Sequence, residues 1–197
     1  HNENKYVFNC MNTDKICIFT DTGKMHTIKA VDIPLGRFRD KGTPVDNLSN
    51  YDSSQERMLY VAPVGQLRSD RLLFVTKTSM CKLVEGAEFD VAKRTIASTK
   101  LADEDELIFI GSASEMEQIV LQSHGGCFLR FLTQEVSTMK KTALGVRGMK
   151  LADDDYLEHA YLLAGHQEYT ISYHDKEYAL NKVRLAKRDT KGIKPRI

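Results

Sequence analysis

Residues 100–108 read KLADEDELI and residues 150–158 read KLADDDYLE, so one Lys-Leu-Ala-Asp-x-Asp string recurs at an interval of 50 residues. Clustered carboxylates can hold cations or work as general acid–base pairs, which makes this string the first place to look for chemistry. Its spacing argues against both. Asp103-Glu104-Asp105-Glu106 and Asp153-Asp154-Asp155 lack the alternating acids and the Gly of a calcium loop. Adjacent carboxylates on a strand or turn point in different directions and converge poorly on one ion. The string reads as the same solvated corner of a repeated unit.

The other reactive residue types are scattered. Cys10, Cys17, Cys81 and Cys127 form no CxxC pair, and the last three lie in apolar runs, as reduced core thiols do. Such spacing offers neither a disulfide framework nor a zinc ligand set. His26, His124, His159, His166 and His174 fall on separate strand or turn positions. Ser123-His124 is adjacent in sequence, but a nucleophile and its base must face each other, which neighbours rarely do. GxSxG, Walker A, HExxH and Rossmann glycine patterns do not occur. The expected chemistry is therefore binding, with no metal, no cofactor and no catalytic residue.

What positions these residues is a repeat. Four stretches share an apolar, β-rich run, a polar or Gly turn, and a second run: 15–34, 71–90, 118–137 and 168–185. Matching Ile16, Leu72, Ile119 and Tyr169 gives spacings of 56, 47 and 50 residues. The turns are Asp21-Thr22-Gly23, Lys77-Thr78-Ser79, His124-Gly125-Gly126 and His174-Asp175, where Gly and Asx supply the positive φ of tight hairpins. Met25, Met80 and Phe128 follow the turns and read as equivalent core positions. Each hairpin leads into a basic connector and a short run: GTPVDNL (42–48), TIASTKL (95–101), GVRGMKL (145–151) and KGIKPRI (191–197). An acidic corner and a further apolar run follow the first three, as MLYVAPV (58–64), ELIFIGS (106–112) and HAYLLAG (159–165). About four strands per unit of roughly 50 residues is the signature of a propeller-like array. The fold class is all-β, with about four four-stranded blades in one domain over 1–197 and repeats near 5–50, 58–108, 109–157 and 158–197. Gly145 and Gly148 read as tight turns between blades.

Bulk properties fit a globular chain of 197 residues, 42% hydrophobic and 28% charged, with no apolar run near the roughly 18–20 residues of a membrane span. The N-terminal HNENKYVFNC lacks the pattern of a signal peptide, and the chain reads as a piece of something longer. The net charge of +1 conceals a segregation. Windows 35–48, 91–101, 138–151 and 182–197 hold 17 of the 28 basic residues and three acids, a balance of +14, which leaves −13 on the rest. Equivalent positions in a circular array project to one face, so a basic stripe is expected, suited to the phosphates of a long polyanion. Phe38 is the single aromatic residue in these windows, so stacking on single strands is poorly supported and duplex binding through the backbone fits better. The expected phosphate contacts are Arg37, Arg39, Lys41, Lys93, Arg94, Lys140, Lys141, Arg147, Lys150, Lys187, Arg188, Lys191 and Lys194. A protein-interaction propeller that does not bind DNA is the competing class.

ICIFTDTGKMHTIKAVDIP followed by GRFRDKGTPVDNL resembles a blade of the C-terminal domain of bacterial type IIA topoisomerase A subunits, those of DNA gyrase and topoisomerase IV. LLFVTKTSMCKLVEGAEFD, IVLQSHGGCFLRFLTQEVSTMKKTALGVRGMKL and EYTISYHDKEYALNKVRLAKRDTKGIKPRI resemble successive blades, so the likeness spans essentially the whole chain. The resemblance implies a β-pinwheel, an incomplete or open disc here, whose blades exchange strands and whose basic rim bends or wraps duplex DNA. It implies service to supercoiling, relaxation or decatenation, with the DNA-cleaving tyrosine in an upstream domain. The implied partners are duplex DNA, an ATPase B subunit, and the remainder of the topoisomerase chain, with ATP and Mg used elsewhere in the enzyme. The implied location is the cytoplasm, at the nucleoid and away from membranes. The family's QRRGGKG box has partial counterparts in GRFRDKG (36–42) and AKRDTKG (186–192).

Overall fold

The computed structural model describes residues 5–37 and 39–197. Its frame is four antiparallel hairpins at the expected places. They are β1 (Lys15–Thr20) with β2 (Lys24–Lys29), β4 (Arg71–Thr76) with β5 (Met80–Glu85), β8 (Gln118–Ser123) with β9 (Phe128–Leu132), and β12 (Thr170–Tyr173) with β13 (Lys176–Ala179). Positive φ falls on equivalent turn residues, Gly23 (76°), Ser79 (74°) and Gly126 (86°). Ser79 adopts it despite its side chain because its buried hydroxyl accepts the amide of Met149 at 2.7 Å. A 3₁₀ turn follows every hairpin, at Ala30–Asp32, Gly86–Phe89, Thr133–Glu135 and Leu180–Lys182. The matched residue after each turn differs from expectation at one place. Met25 and Phe128 are buried, but their structural equivalent is Cys81, whereas Met80 is half-buried.

The core lies between successive sheets. Side chains alternate across a strand, and both faces are used. Leu72, Phe74 and Val84 pack against Cys17, Phe19 and Met25 of the first sheet. Leu73, Val75, Cys81 and Leu83, from the same two strands, pack against Ile119, Leu121, Leu129 and Phe131 of the third. Burial on both faces is why the centres of these strands, LLFV and IVL, are continuously apolar and not alternating. Phe89 from the 3₁₀ turn wedges between the first two sheets, edge-on to Phe19 (4.9 Å, 87°) and stacked on Phe74 (5.9 Å, 11°).

The runs beyond the hairpins complete the sheets by exchange. β3 (Met58–Pro63) pairs with β1, β7 (Leu107–Ser112) with β4, and β11 (Leu157–Leu163) with β8. β7 touches both β3 and β11, so these three strands line the inner side. β6 (Thr95–Ala97), which follows the second hairpin in sequence, pairs with β2 of the first. β10 (Val146–Arg147), after the third hairpin, pairs with β5 of the second, and Ile193 bridges to Phe128 of the third. These segments form the edge opposite β3, β7 and β11, the outer rim. The sheets therefore read β3-β1-β2-β6, β10-β5-β4-β7, β11-β8-β9 and β12-β13, an all-β pinwheel. GTPVDNL departs from the strand pattern. Val45–Leu48 forms a single helical turn (α1), and Val45 and Leu48 pack on Ile16, Ile18 and Ile28, the face of the first sheet turned away from the second.

Where the exchanged segments cross a hairpin, the backbones nearly touch. Gly145 (φ 105°) and its equivalent Gly192 (φ 74°) would each place a Cβ 2.6 Å from a carbonyl oxygen, of Cys81 and Phe128 respectively. Gly145→Ala should therefore cost about 1–3 kcal/mol of stability, read by urea unfolding.

The acidic corners are internal latches. Glu56, Asp105 and Asp155 each stand two residues before the inner strand's equivalent position and reach the same point of a hairpin turn. Glu56 accepts the Thr22 hydroxyl (3.3 Å), Asp105 the amide and hydroxyl of Thr78 (3.1 and 2.6 Å), and Asp155 the amide of Gly125 (2.8 Å). Burial alone would raise the Asp155 carboxyl, but hydrogen bonds from Ser123 and from the amides of Gly125 and Tyr156 hold it below its ordinary value. A lowered folded-state pKa means stability present above the unfolded value and lost as pH falls through the folded one. Asp155→Asn should thus flatten the loss of thermal stability seen below about pH 4, relative to the wild type. Identical pH profiles for the two proteins would contradict the latch.

Candidate nucleic-acid interface

The basic windows meet along the outer rim because consecutive connectors bond to each other. The amide of Lys100 donates to the carbonyl of Lys141 (3.0 Å), that of Lys150 to Thr190 (2.8 Å), and that of Asp189 to Gly148 (2.6 Å). Lys100 thus adjoins the 140–143 turn, Lys93 and Arg94 lie at the other end of the same connector, where the Arg94 carbonyl accepts the Thr27 amide (2.8 Å), and Arg147 and Lys150 adjoin the 187–191 segment. Lys194 follows the bridging Ile193 as Arg147 follows Val146 in β10. Arg37, Arg39 and Lys41 lie on the segment before α1, in a turn where Asp40 caps the Arg37 amide at 2.7 Å. The Arg94 guanidinium reaches the Leu48 carbonyl of α1 at 3.4 Å. Phe38 lies outside the described residues.

Fifteen of the 17 basic residues in these windows are exposed. Among the described residues, one of the 17 has its charged group within 4 Å of a carboxylate: Arg147 lies 3.6 Å from Asp189. The remaining charges stand without local neutralisation, so their fields add along the rim instead of cancelling in pairs. This is the arrangement a polyanion's phosphates can meet one by one.

Lys141 and Arg188 behave differently. Both are half-buried, and they make the same bonds 47 residues apart. The Lys141 ammonium donates to the carbonyl of Glu88 (2.9 Å), while the Arg188 guanidinium donates to the carbonyls of Glu135 (3.0 Å) and Arg147 (2.7 Å). Each pins its connector to a 3₁₀ turn, and those donors are spent inside the fold. Gly148 is buried against Leu121 and the Cys81 sulfur, and Gly145 faces the Cys81 backbone, so their close approaches are to protein.

Two polar residues of this framework escape a reading of the sequence alone. Lys82 and His26 hold the same place on β5 and β2, opposite Phe74 and Ile18, and both are buried. The Lys82 ammonium donates to three carbonyls of the rim turn, those of Lys140 (3.2 Å), Lys141 (2.9 Å) and Ala143 (2.7 Å). His26 bridges Thr95 Oγ1 on β6 (2.9 Å) and the Glu56 carboxylate (2.8 Å). A lysine in the middle of the apolar run MCKLVE was the available signal.

The reactive residues are occupied structurally. The His124 ring stacks on Tyr156 (4.7 Å, 10°) and meets Glu158, while the Ser123 hydroxyl accepts the Cys127 amide (3.1 Å), so Ser123 and His124 form no nucleophile–base pair. Cys17 and Cys81 are buried, and burial pushes both thiols up to about 12, far from a reactive thiolate. Among the described residues no three His, Cys, Asp or Glu side chains converge as a metal site would require. Among the described residues no helix is long and apolar enough to cross a membrane.

The family model described as DNA gyrase C-terminal domain, beta-propeller, matches residues 14–53, 70–114 and 117–164. The chain is 27% identical to the DNA gyrase A subunit of Ureaplasma parvum, over 90% of this chain and 22% of the relative. It is 31% identical to that of Salmonella typhimurium, over 72% of this chain and 16% of the relative. The chain thus spans about a fifth of the length of these relatives. Among solved structures, the C-terminal domain of DNA topoisomerase IV superposes with a TM-score of 0.82 at 24% identity, over 92% of this chain and 58% of that one. The E. coli ParC C-terminal domain superposes with a TM-score of 0.76 at 15% identity, over 94% and 78%. With the family model matched across three successive hairpins and the pinwheel shared by both structures, this chain belongs to the DNA gyrase C-terminal β-propeller family of the type II topoisomerases.

Proposed function

We propose that this chain binds duplex DNA without sequence preference and bends or wraps it along the outer rim. The observation that carries the reading is the contiguity of connectors whose exposed lysines and arginines lack carboxylate partners among the described residues. Backbone contacts of this kind position DNA and do not read bases. Release of condensed counterions supplies the affinity. The chain acts as a non-catalytic accessory of a topoisomerase in the bacterial cytoplasm, at the nucleoid. It serves supercoiling, relaxation or decatenation together with an ATPase B subunit and the cleaving domains of its own polypeptide. ATP and Mg act on those other parts of the enzyme.

The contacts divide by their bonding. Arg37, Arg39, Lys41, Lys93, Arg94, Lys140, Lys150, Lys187, Lys191 and Lys194 are the phosphate contacts, joined by Arg147 once Asp189 yields it. Lys141 and Arg188 contribute charge to the rim while their donors hold the connectors. A protein partner is favoured by one feature, the exposed Val31, Ile33 and Leu35 beside the first hairpin. A contact there would leave the rim free.

Binding of a fluorescent duplex of about 40 base pairs across a salt series tests the reading. Affinity should fall steeply and without sequence dependence between roughly 50 and 200 mM salt. Replacing Lys140, Arg147 and Lys150 together by Ala should flatten the log–log salt slope by about 0.9 per lost contact and weaken all sequences evenly. An unchanged slope in the triple variant would remove these residues from the interface.

A further inference from the structure

Lys82 is 1% exposed, and among the described residues no carboxylate lies within ion-pairing distance of its ammonium. A buried charge in that position is costly unless its donors are satisfied. All three donors of the ammonium are satisfied, and all by backbone carbonyls of one short segment, those of Lys140, Lys141 and Ala143 at 2.7–3.2 Å. Three carbonyl dipoles that converge on one point repel each other unless a cation sits among them. The conformation of the 140–143 turn, which Ala143 closes with its amide on the Lys140 carbonyl (3.1 Å), therefore depends on Lys82.

The sheet itself does not need a lysine there. The equivalent position on β9 is Leu129, buried and packed in the core between sheets. On β2 it is His26, which again reaches the outer strand, at Thr95 of β6. Where this position is polar it bonds to the outer segment, Lys82 with all three donors and His26 with one ring nitrogen while the other meets Glu56. Burial pushes the Lys82 ammonium down to about 8 while the Glu88 carboxylate pulls the other way, which leaves it largely protonated at neutral pH.

We propose that Lys82 is a positioning residue for the DNA-binding rim: its buried ammonium holds the 140–143 turn in the shape that sets Lys140 and, through β10, Arg147 outward as phosphate contacts. Lys82 touches no DNA. It acts through the backbone of the residues that do, and this role rests on the duplex-binding reading above.

The test compares the 197-residue chain with Lys82→Met, which keeps an unbranched side chain one atom shorter and removes its donors. Trypsin cleaves at the Lys140 and Lys141 carbonyls that Lys82 grips. Cleavage there, located by mass spectrometry, should quicken by about tenfold in Lys82→Met while other sites hold their rates. Duplex affinity should weaken several-fold with a flatter salt slope. Adding Lys140→Ala and Arg147→Ala to Lys82→Met should cost less than the two effects summed, because the contacts are already misplaced. A purely structural role would lower the melting temperature and leave affinity and slope of the folded protein unchanged. That outcome, or unaltered cleavage after Lys140 and Lys141, overturns the proposal. If Lys82→Met does not melt cooperatively, Lys82→Leu, which installs the residue found at the equivalent position of the third sheet, carries the same readouts. Failure of the wild type to bind duplex at low salt would defeat the duplex reading and this role with it, whereas wild-type binding that Lys82→Met and Lys82→Leu both match would defeat this role alone.

Discussion

The sheets of this protein are buried against one another face to face, the second and third on both sides, and the rest of the structure depends on that constraint. A hairpin with two apolar faces cannot be stable alone, because one face would always remain in water. Stacking the second sheet between the first and third buries Leu72 and Phe74 on one side and Leu73 and Val75 on the other. The residue that seals each interface comes from the turn after the hairpin: Phe89, Val136 and Val183 are all buried, at successive intervals of 47 residues. The repeat in sequence is therefore the direct trace of a repeat in packing.

Exchange of strands follows from the same arrangement and builds the rim. Because β6 and β10 leave their own hairpins to complete the preceding sheets, each connector must cross an interface on the outer side. Crossing brings backbone close to backbone, and the crossing points demand Gly145 and Gly192. It also leaves carbonyl groups that need donors. Lys82, Lys141 and Arg188 supply them from within, which separates the basic residues into those that hold connectors and those that face solvent. Among the described residues the second group stands largely without carboxylate partners, which is the surface the duplex-binding proposal uses.

Much of this was legible in the residues. The four hairpins, the propeller-like class and the concentration of charge in the connectors are visible because short apolar runs, turn residues and charge counts are local signals. The KLADxD strings were legible as equivalent corners of a repeat, but their task as latches on Thr78 and Gly125 could not be foreseen. That task joins residues 27 and 30 apart in sequence across a sheet edge. The helical turn at Val45–Leu48 was also hidden, since GTPVDNL aligns with segments that become rim strands, and its packing on Ile16, Ile18 and Ile28 is a tertiary effect. Lys141 and Arg188 look like their exposed neighbours in sequence. Only the position of the Glu88 and Glu135 carbonyls tells them apart.

On the proposed reading, a duplex whose phosphates follow the rim from connector to connector is bent by the protein. The most direct measurement is the ligase-catalysed cyclisation rate of a duplex of about 150 base pairs, near one persistence length, with and without the protein at low salt. Bending along the rim predicts faster cyclisation, and wrapping that leaves the plane predicts circles whose linking number differs from that of naked DNA. Binding with an unchanged cyclisation rate and an unchanged linking number would contradict it.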